Sequence, residues 1–245
     1  MIGRLRHWIK DGTLVIDLGR TMRVLSSAPC GGGLRLTRYI LNHQVASNSV
    51  PINSKRPDLR SRHARPSTTL RLVAMRLGIK ESCVGLMTAV PMSQLVESRE
   101  ESHGMWVECF ATVGVTNAVR AGELVSGSLA DSHTAGTINI IVVTNAALVH
   151  AAMVGAVQVV TESKTGALRD RAVPGWTGVA GATGTGTDAV VIACAPRNKG
   201  PKVTYGGTHT EIGAMIGRVV GQCIRDGLSL AEQWSNQTNS KSNRI

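Results

Sequence analysis

The stretch TINIIVVTNAALVHAAMVGAVQVVTESKTGAL, residues 137–168, joins two patterns that decide the fold. Residues 137–144 are rich in Ile, Val and Thr, which favours a buried β-strand. Residues 150–168 are long enough and apolar enough for a helix packed against other structure. A strand that leads directly into a packed helix is typical of a layered domain in which helices cover a sheet.

The same two patterns recur on both sides of this stretch. Strands are predicted at residues 13–18, 22–26, 82–87, 106–115, 137–144 and 189–195, and helices at residues 34–42, 69–77, 150–168 and 209–225. This interleaving predicts a single layered domain of the α/β or α+β class, with a mixed β-sheet covered by helices. We expect the domain to span residues 1–230 and the polar residues 231–245 to form a frayed C-terminal tail.

The last predicted helix has the most regular pattern. Its apolar residues recur at the spacing of a helix that buries one face: Ile212, Met215, Ile216, Val219, Val220, Cys223 and Ile224. Thr208 and Glu211 have the spacing of a capping box at its start, and Gly227 suits the left-handed residue that ends a helix. A row of glycines would let a neighbouring backbone approach closely: Gly213, Gly217 and Gly221.

Composition excludes several classes of protein. With 42% hydrophobic and 18% charged residues, the 245-residue chain is typical of a folded globular protein. Residues 138–160 are interrupted by Asn, His and Gln, so no membrane span is predicted, and the basic start lacks the apolar segment of a signal peptide. The five cysteines include no C-x-x-C pair and indicate neither a disulfide framework nor a cysteine zinc site. We therefore expect a cytoplasmic protein. The sequence singles out no set of metal ligands and does not fix metal dependence.

The formal net charge of +11 suggests an anionic partner. Seven basic residues and one acidic residue lie between Lys55 and Arg76, and residues 44–68 have the composition of a long surface loop. Two interpretations stay open: a solvated basic loop that runs into an exposed helix face, or a site for an anion or a polyanion such as nucleic acid. The chain has only four Trp, two Tyr and one Phe, which disfavours stacking on single-stranded bases.

Residues 26–33, SSAPCGGG, form a first candidate site between a predicted strand and a predicted helix. Gly31, Gly32 and Gly33 would let the backbone approach a ligand, and the helix start would offer free N–H donors to an anion or an oxyanion. A tight turn between the two elements is the other interpretation. His43, at the far end of that predicted helix, is either a functional residue or an ordinary cap.

Residues 181–188, GATGTGTD, form a second candidate site. They lead into a strand instead of a helix, which excludes a nucleotide P-loop. The hydroxyls of Thr185 and Thr187 would lie near the Asp188 carboxylate, as a nucleophile and its base require. Alternatively, Asp188 is an ordinary turn residue.

Residues 205–211, YGGTHTE, place His209 in the first turn of the last predicted helix. The positive end of a helix lowers the pKa of an imidazole, which keeps it neutral and able to act as a base or a metal ligand. The other interpretation is an exposed histidine beside the cap formed by Thr208.

Several single polar residues give weaker signals. Glu162 belongs to a polar row on the helix at residues 150–168, with Lys164 nearby, and an exposed helix face would explain both. Asn139 interrupts a strand-like run and needs hydrogen-bond partners if it is buried, and Asn117 is a further candidate. The sequence contains neither H-E-x-x-H nor G-x-S-x-G, the signatures of zinc proteases and α/β-hydrolases.

Eight stretches, in order along the chain, together resemble the adenosylcobinamide amidohydrolase family of archaeal and bacterial cobamide salvage. They are VLSSAP (24–29), NHQV (42–45), VGLMTAVPMS (84–93), FATVGVTN (110–117), GTINI (136–140), TESKT (161–165), ATGTGTDAV (182–190) and YGGTHT (205–210). The resemblance covers roughly residues 24–224. An ordered series of this length is more specific than any one glycine-rich loop.

The resemblance implies hydrolysis of the amide that joins the aminopropanol arm, or its phosphate, to the corrin ring of adenosylcobinamide. The product would be adenosylcobyric acid, which re-enters cobalamin synthesis. The corrinoid is then the substrate and not a cofactor, and the sequence identifies no certain cofactor. Such a reaction needs a nucleophile, a base, donors for the oxyanion and a proton for the departing amine.

Residue chemistry assigns these roles. Asp188 and His209 are expected to act as base and acid and Thr185 or Thr187 as the nucleophile, with help from His43 and Glu162. The expected substrate-binding residues are Ser27, Gly31, Gly32, Gly33, Asn117, Asn139, Lys164 and Thr208, and the three glycines would supply backbone N–H donors to the oxyanion. This arrangement requires residues 183–188 and 206–209 to meet in one cavity.

Two other functions stay open from the sequence. One is a corrinoid-binding module without catalysis, and the less favoured one is nucleic-acid binding through residues 55–76. Residues 44–68 depart from the family pattern, which is expected to be more acidic and aromatic after His-Gln-Val. A homo-oligomer is compatible with the sequence, which does not fix the oligomeric state.

Overall fold

A mixed β-sheet forms the centre of the protein, whose computed structural model describes residues 4–45, 65–123 and 136–242. The strands are β1 (Arg6–Lys10), β2 (Thr13–Ser26), β3 (Gly33–Gln44), β4 (Cys83–Thr88), β5 (Val96–Ser102), β6 (Met105–Val113), β7 (Ala118–Val119), β8 (Ile138–Thr144), β9 (Ala147–Leu148), β10 (Gly184–Thr185), β11 (Ala189–Cys194) and β12 (Lys202–Val203). The helices are α1 (Pro66–Arg76), α2 (His150–Asp170) and α3 (Glu211–Ser242). The main sheet has the order β4-β3-β2-β11-β8-β6-β5, with β1 paired to β2. The predicted fold class is confirmed.

The main sheet is strongly curled, so that side chains on the inner face of strands far apart in the sheet contact each other. The side-chain amide of Asn42 on β3 donates to the Thr112 hydroxyl on β6 at 3.0 Å, although β2, β11 and β8 separate these two strands. The curled face encloses an apolar cluster in which Leu14, Ile40 and Phe110 are fully buried. Side chains from the inner face of this open sheet thus pack on one another and form one of the hydrophobic clusters of the protein.

The helices cover the outer face of the sheet. α2 and α3 pack on β6, β8 and β11 through a cluster that includes Ile140, Met153 and Met215. α1 packs near β2 and β3 through a smaller cluster that includes Leu41 and Ala74. Because both faces of the central strands are covered, β11 is a continuous apolar run in the sequence, and β8 is apolar except for Asn139 and Thr144.

Most of the predicted elements are present. The strands predicted at residues 13–18 and 22–26 are the two halves of β2, joined through a bulge, and those at 82–87, 106–115, 137–144 and 189–195 are β4, β6, β8 and β11. The helices predicted at residues 69–77 and 150–168 are α1 and α2. β5 was not predicted because its sequence, VESREES, is polar, as suits its place at the edge of the sheet.

The helix predicted at residues 34–42 is wrong, because this segment belongs to strand β3. Ile40 and Leu41 are both fully buried, since they face opposite sides of a covered sheet. Leu34 and Leu36 are instead exposed, by 49% and 64%. Adjacent buried residues after spaced leucines imitate the periodicity of an amphipathic helix.

α3 begins differently from its prediction. Its first residue is Glu211, and the Thr210 hydroxyl accepts a hydrogen bond from the Gly213 N–H at 3.1 Å, which makes Thr210 the cap. The predicted capping box of Thr208 and Glu211 is therefore wrong. The Glu211 carboxylate instead accepts a hydrogen bond from the Ser102 hydroxyl at the end of β5.

α3 also continues beyond its predicted end. Gly227 lies inside the helix, which runs on to Ser242, so the prediction that Gly227 ends the helix is wrong. Packing explains the glycine, because a Cβ at position 227 would lie 2.5 Å from Val113 on β6. Gly227 therefore lets α3 approach the sheet closely.

All five cysteines are free. Burial raises the pKa of the Cys83 thiol to about 11, which keeps it protonated and unreactive near neutral pH. Within the described residues, no helix is both long and apolar enough to cross a membrane.

Replacing Gly227 by Ala should lower the free energy of unfolding, although Ala favours an isolated helix by roughly 1 kcal/mol. The added methyl group would overlap Val113, and overpacking of this kind costs about 1–3 kcal/mol. Gly217→Ala is the matched control in the same helix, because its nearest neighbour, Val159, lies at an ordinary contact distance of 3.6 Å. Urea unfolding should show a lower free energy of unfolding for Gly227→Ala and not for Gly217→Ala. Equal effects of the two substitutions would contradict the packing role of Gly227.

Candidate active site

The Asp188 carboxylate lies directly before β11 and accepts four hydrogen bonds. Its Oδ1 accepts from the Ile138 N–H at 3.0 Å and from the Thr185 hydroxyl at 2.5 Å. Its Oδ2 accepts from the Thr185 N–H at 3.0 Å and from the Lys164 ammonium group at 2.5 Å. A carboxylate has about four lone-pair positions, so these donors occupy all of them and fix its orientation.

Lys164 reaches Asp188 from α2 and forms a largely buried ion pair, with 10% and 12% of the two side chains exposed. A buried charge is tolerated when it is paired and hydrogen-bonded. Gly184 makes room for the contact, because a Cβ there would lie 2.6 Å from the Lys164 Nζ. The neighbouring Thr165 hydroxyl donates to the Thr183 carbonyl at 3.1 Å. Two adjacent side chains of α2 thus hold the loop that precedes β11.

A cavity of about 410 Å³ opens beside Asp188. Its lining residues lie at or beyond the carboxyl ends of β2, β3 and β4 and at or before the starts of β8 and β11, and the curl of the sheet brings these segments together. Its lining consists of Ser27, Pro29, Val45, Pro66, Leu86, Met87, Thr88, Ala89, Gly136, Thr137, Asn139, Thr187, Asp188 and Ala189. The volume is within the range of small-molecule sites.

Two buried asparagines connect the strands around this cavity. Asn139, which lines it, donates from Nδ2 to the Asn42 Oδ1 at 2.9 Å and to the Met87 carbonyl at 2.8 Å. Together with the bond from Asn42 to Thr112, these contacts tie β3, β4, β6 and β8. The sequence indicated Asn139 but not Asn42, although Asn42 lies in the NHQV stretch that carries part of the family resemblance.

A second cavity, of about 580 Å³, shares the lining residue Ala89 with the first. Asn117 lies beside both, because Thr116 lines the second cavity and Gly136, which contacts Asn117, lines the first. Among the described residues, the buried Asn117 Oδ1 has no hydrogen-bond partner. An unsatisfied acceptor is unfavourable, so a donor group of a ligand would be stabilising here.

Seven of the eight family-like stretches line the two cavities or contact Asp188: residues 24–29, 42–45, 84–93, 110–117, 136–140, 161–165 and 182–190. Of the predicted site residues, Ser27, Asn139, Thr187 and Asp188 line the first cavity, Thr185 and Lys164 contact Asp188, and Asn117 adjoins both cavities. Residues far apart in the sequence therefore form one site.

The eighth stretch, which contains Thr208 and His209, lies elsewhere. Gly206 packs against Ala152 in the first turn of α2, twelve residues before Lys164. At 1.5 Å per residue, this separation is about 18 Å along the helix. β12, which precedes the stretch, pairs with β9 just beyond the end of β8, and Asp188 lies at the opposite end of β8. The structure contradicts the expected meeting of residues 183–188 with residues 206–209, and with it the pairing of Asp188 and His209 as base and acid.

His43 and Glu162 also lie away from the cavity lining. His43 is on the outer face of β3, opposite Asn42, because side chains alternate along a strand. Its Nδ1 contacts the Thr13 hydroxyl at 2.8 Å, and burial lowers its pKa. Glu162 is exposed on α2. It lies two residues before Lys164, which places the two side chains about 200° apart around the helix axis. The structure therefore does not support their expected catalytic assistance.

Gly31 and Gly32 belong to the connection between the antiparallel strands β2 and β3, and Gly33 is the first residue of β3. No helix begins there, so the expected helical N–H donors to an oxyanion are absent. A Cβ at Gly32 would lie 2.5 Å from the Ala28 carbonyl, which supports the interpretation of a tight turn.

Most of the basic segment lies outside the described residues, which resume at residue 65. In its described part, Arg71 and Arg76 are exposed on α1. Within residues 4–45, 65–123 and 136–242, no group of three His, Cys, Asp or Glu side chains is arranged to hold a metal ion.

The family model described as adenosylcobinamide amidohydrolase matches residues 2–236. The chain belongs to the adenosylcobinamide amidohydrolase family. It is 31% identical over 235 residues to an adenosylcobinamide amidohydrolase of Methanosarcina mazei, covering 92% of this chain and 98% of that protein. It is 30% identical over 233 residues to an uncharacterized protein of Methanocaldococcus jannaschii, covering 88% and 85% of the two chains. An adenosylcobinamide amidohydrolase of Halobacterium salinarum is 35% identical over 121 residues, or 48% of each chain.

Replacing Lys164 by Met should strongly destabilise this member of the adenosylcobinamide amidohydrolase family, because Asp188 would lose its counter-charge in a buried position. Removing one partner of a buried ion pair costs about 3–5 kcal/mol. Lys80→Met, at an exposed lysine, is the matched control and should change stability by less than about 0.5 kcal/mol. Denaturant unfolding measures both, and similar losses in the two variants would show that the pair contributes little.

Proposed function

We propose that the chain hydrolyses the amide bond between the aminopropanol arm and the corrin ring of adenosylcobinamide, and that adenosylcobyric acid is released for cobalamin salvage. One observation carries this proposal: the fixed Asp188 carboxylate lines a cavity formed by five of the family-like stretches, and a sixth reaches Asp188 through Lys164. The names of the family and of the Methanosarcina mazei relative supply the substrate and the type of bond.

Asp188 is the proposed general base. A water molecule in the cavity, or the Thr187 hydroxyl, attacks the amide carbon, and its proton passes to the carboxylate. Asp188 must give up one hydrogen bond to accept this proton, and the Thr185 hydroxyl can rotate away while the two backbone N–H groups stay fixed. Asp188 then gives the proton to the departing nitrogen as the C–N bond breaks, which leaves a carboxylic acid and a free amine. If Thr187 attacks, water then hydrolyses the resulting ester.

Two further side chains support this reaction. Lys164 keeps Asp188 in place through the ion pair and is a positioning residue. The Ser27 hydroxyl accepts a hydrogen bond from the Val190 N–H at 3.0 Å and lines the cavity. Its own proton is therefore available for the oxygen that becomes negative in the transition state, a role in which one donor typically contributes about 10²–10³-fold in rate.

The two neighbouring cavities, of about 410 and 580 Å³, suit a substrate with several bulky parts. The first would hold the scissile amide, because Asp188 and Thr187 line it. The second, lined by Val90, Val113 and Val115 among others, offers an apolar surface to another part of the corrinoid.

The purified protein should convert adenosylcobinamide to adenosylcobyric acid, which mass spectrometry would identify. A parallel assay with adenosylcobinamide phosphate measures whether the arm is recognised with its phosphate. Binding of the corrinoid without any product would contradict hydrolysis and support the non-catalytic binding module.

Asp188→Asn should lower kcat by about 10²–10⁴-fold, because an amide cannot accept the proton from the nucleophile. Unfolding of the variant is measured in parallel, so that a loss of activity is not confused with a loss of structure. Thr187→Val distinguishes the two possible nucleophiles. The variant should keep most of its activity if water is the nucleophile and should lose it if the Thr187 hydroxyl is. Turnover by Asp188→Asn close to that of the unchanged protein would remove Asp188 from the mechanism.

A further inference from the structure

A third cavity, of about 400 Å³, lies at the end of the sheet opposite Asp188. The neighbouring parallel strands β8 and β11 both end there, and open α/β sheets bind ligands beyond the carboxyl ends of their parallel strands. Three basic side chains line this cavity, Arg23, Arg197 and Lys202, and none of its lining residues is acidic. The cavity is therefore electropositive.

Arg23 is buried, with 8% of its surface exposed, and its guanidinium group lacks a counter-charge. It donates to the Leu148 carbonyl at 2.7 Å and contacts the Met153 sulfur at 3.7 Å, and no carboxylate in the described part of the chain lies within ion-pair distance. Burying a charge without a counter-charge is unfavourable. An anion in the cavity would supply what Arg23 lacks.

The start of α2 adds to this positive potential. Val149, its N-cap residue, lines the cavity and makes no side-chain cap, and the first turn contains no acidic residue. The first N–H groups of a helix have no partners within the helix, and the helix dipole favours an anion at this end. α2 has 21 residues, so many aligned peptide dipoles contribute to the partial positive charge at its start.

We propose that this cavity binds a phosphate group, either as the free ion or in a small phosphate ester. Arg23 would contact it from the buried side, Arg197 and Lys202 from the exposed side, and the N–H groups of α2 from the helix start. Arginine suits this role because its planar N–H groups match the geometry of phosphate oxygens. The site goes beyond the proposed hydrolysis and is separate from Asp188, because β8 spans seven residues, about 23 Å, between the two ends.

Calorimetric titration with inorganic phosphate tests the proposal, with sodium chloride of matched ionic strength as the reference. The double variant Arg197→Ser/Lys202→Ser should weaken phosphate binding by at least about tenfold. Arg76→Ser/Lys80→Ser removes the same charge from exposed positions on and beside α1 and should leave the affinity unchanged. Equal weakening in both double variants, or no binding to the unchanged protein at about 10 mM phosphate, would overturn the proposal.

Arg23→Met gives an independent readout. Phosphate should raise the Tm of the unchanged protein, because a ligand that binds only the folded state stabilises it, and this increase should disappear in Arg23→Met. If the variant does not fold, the two double variants decide the question. Comparing the affinities for adenosine monophosphate and inorganic phosphate distinguishes a phosphate ester from the free ion as the ligand. Tighter binding of the nucleotide identifies an ester, and equal binding identifies the ion. Both outcomes support recognition of phosphate.

Discussion

The curl of the main sheet, held by the hydrogen bond between Asn42 and Asn139, is the constraint on which the candidate active site depends. β3 and β8 are three strand spacings apart in the sheet, which would be about 14 Å in a flat sheet, yet these side chains are 2.9 Å apart. The curl brings the loops after β2 and β4 next to those before β8 and β11, and the cavity lies between them. Because buried amides need specific partners, this contact also favours one register of the strands over others.

The ion pair between Lys164 and Asp188 connects the helical layer to this curled sheet. Asp188 is fixed by donors from three separate segments: the start of β8, the loop before β11 and α2. Such a carboxylate is well oriented, but it has no free lone pair until one donor moves away. If Asp188 is the base, the Thr185 hydroxyl is the donor that must move, because the backbone donors are held by the strands and Lys164 is held by burial. The site therefore combines a rigid ion pair with one rotatable donor.

The sequence predicted local features better than distant ones. The contact of the Thr185 hydroxyl with Asp188 could be predicted because the two residues lie three apart in one loop, whereas the Thr187 hydroxyl donates to the Gly136 carbonyl. The elements α2, β8 and β11 could be predicted because sheet and helix bury long apolar runs. The location of His209 could not be predicted, since it depends on β12 pairing with β9 beyond the end of β8. β3 imitated a helix because a strand covered on both faces buries adjacent residues such as Ile40 and Leu41. Asn42 carried no local signal, because its partners lie on other strands.

The polarity of α2 explains why the two ends of the sheet differ chemically. β8, α2 and β11 form one crossover between parallel strands, so the helix runs back along the sheet from the carboxyl end of β8 to the amino end of β11. Its uncapped start faces the cavity lined by Arg23, Arg197 and Lys202, whereas Lys164, in its second half, reaches the Asp188 carboxylate. One helix therefore supplies hydrogen-bond donors to both ends of the sheet, backbone N–H groups at its start and the Lys164 ammonium group in its second half. A pairing of His209 with Asp188 would require the segment beside the start of α2 to reach the other end of the same helix, and the direction of the crossover excludes this.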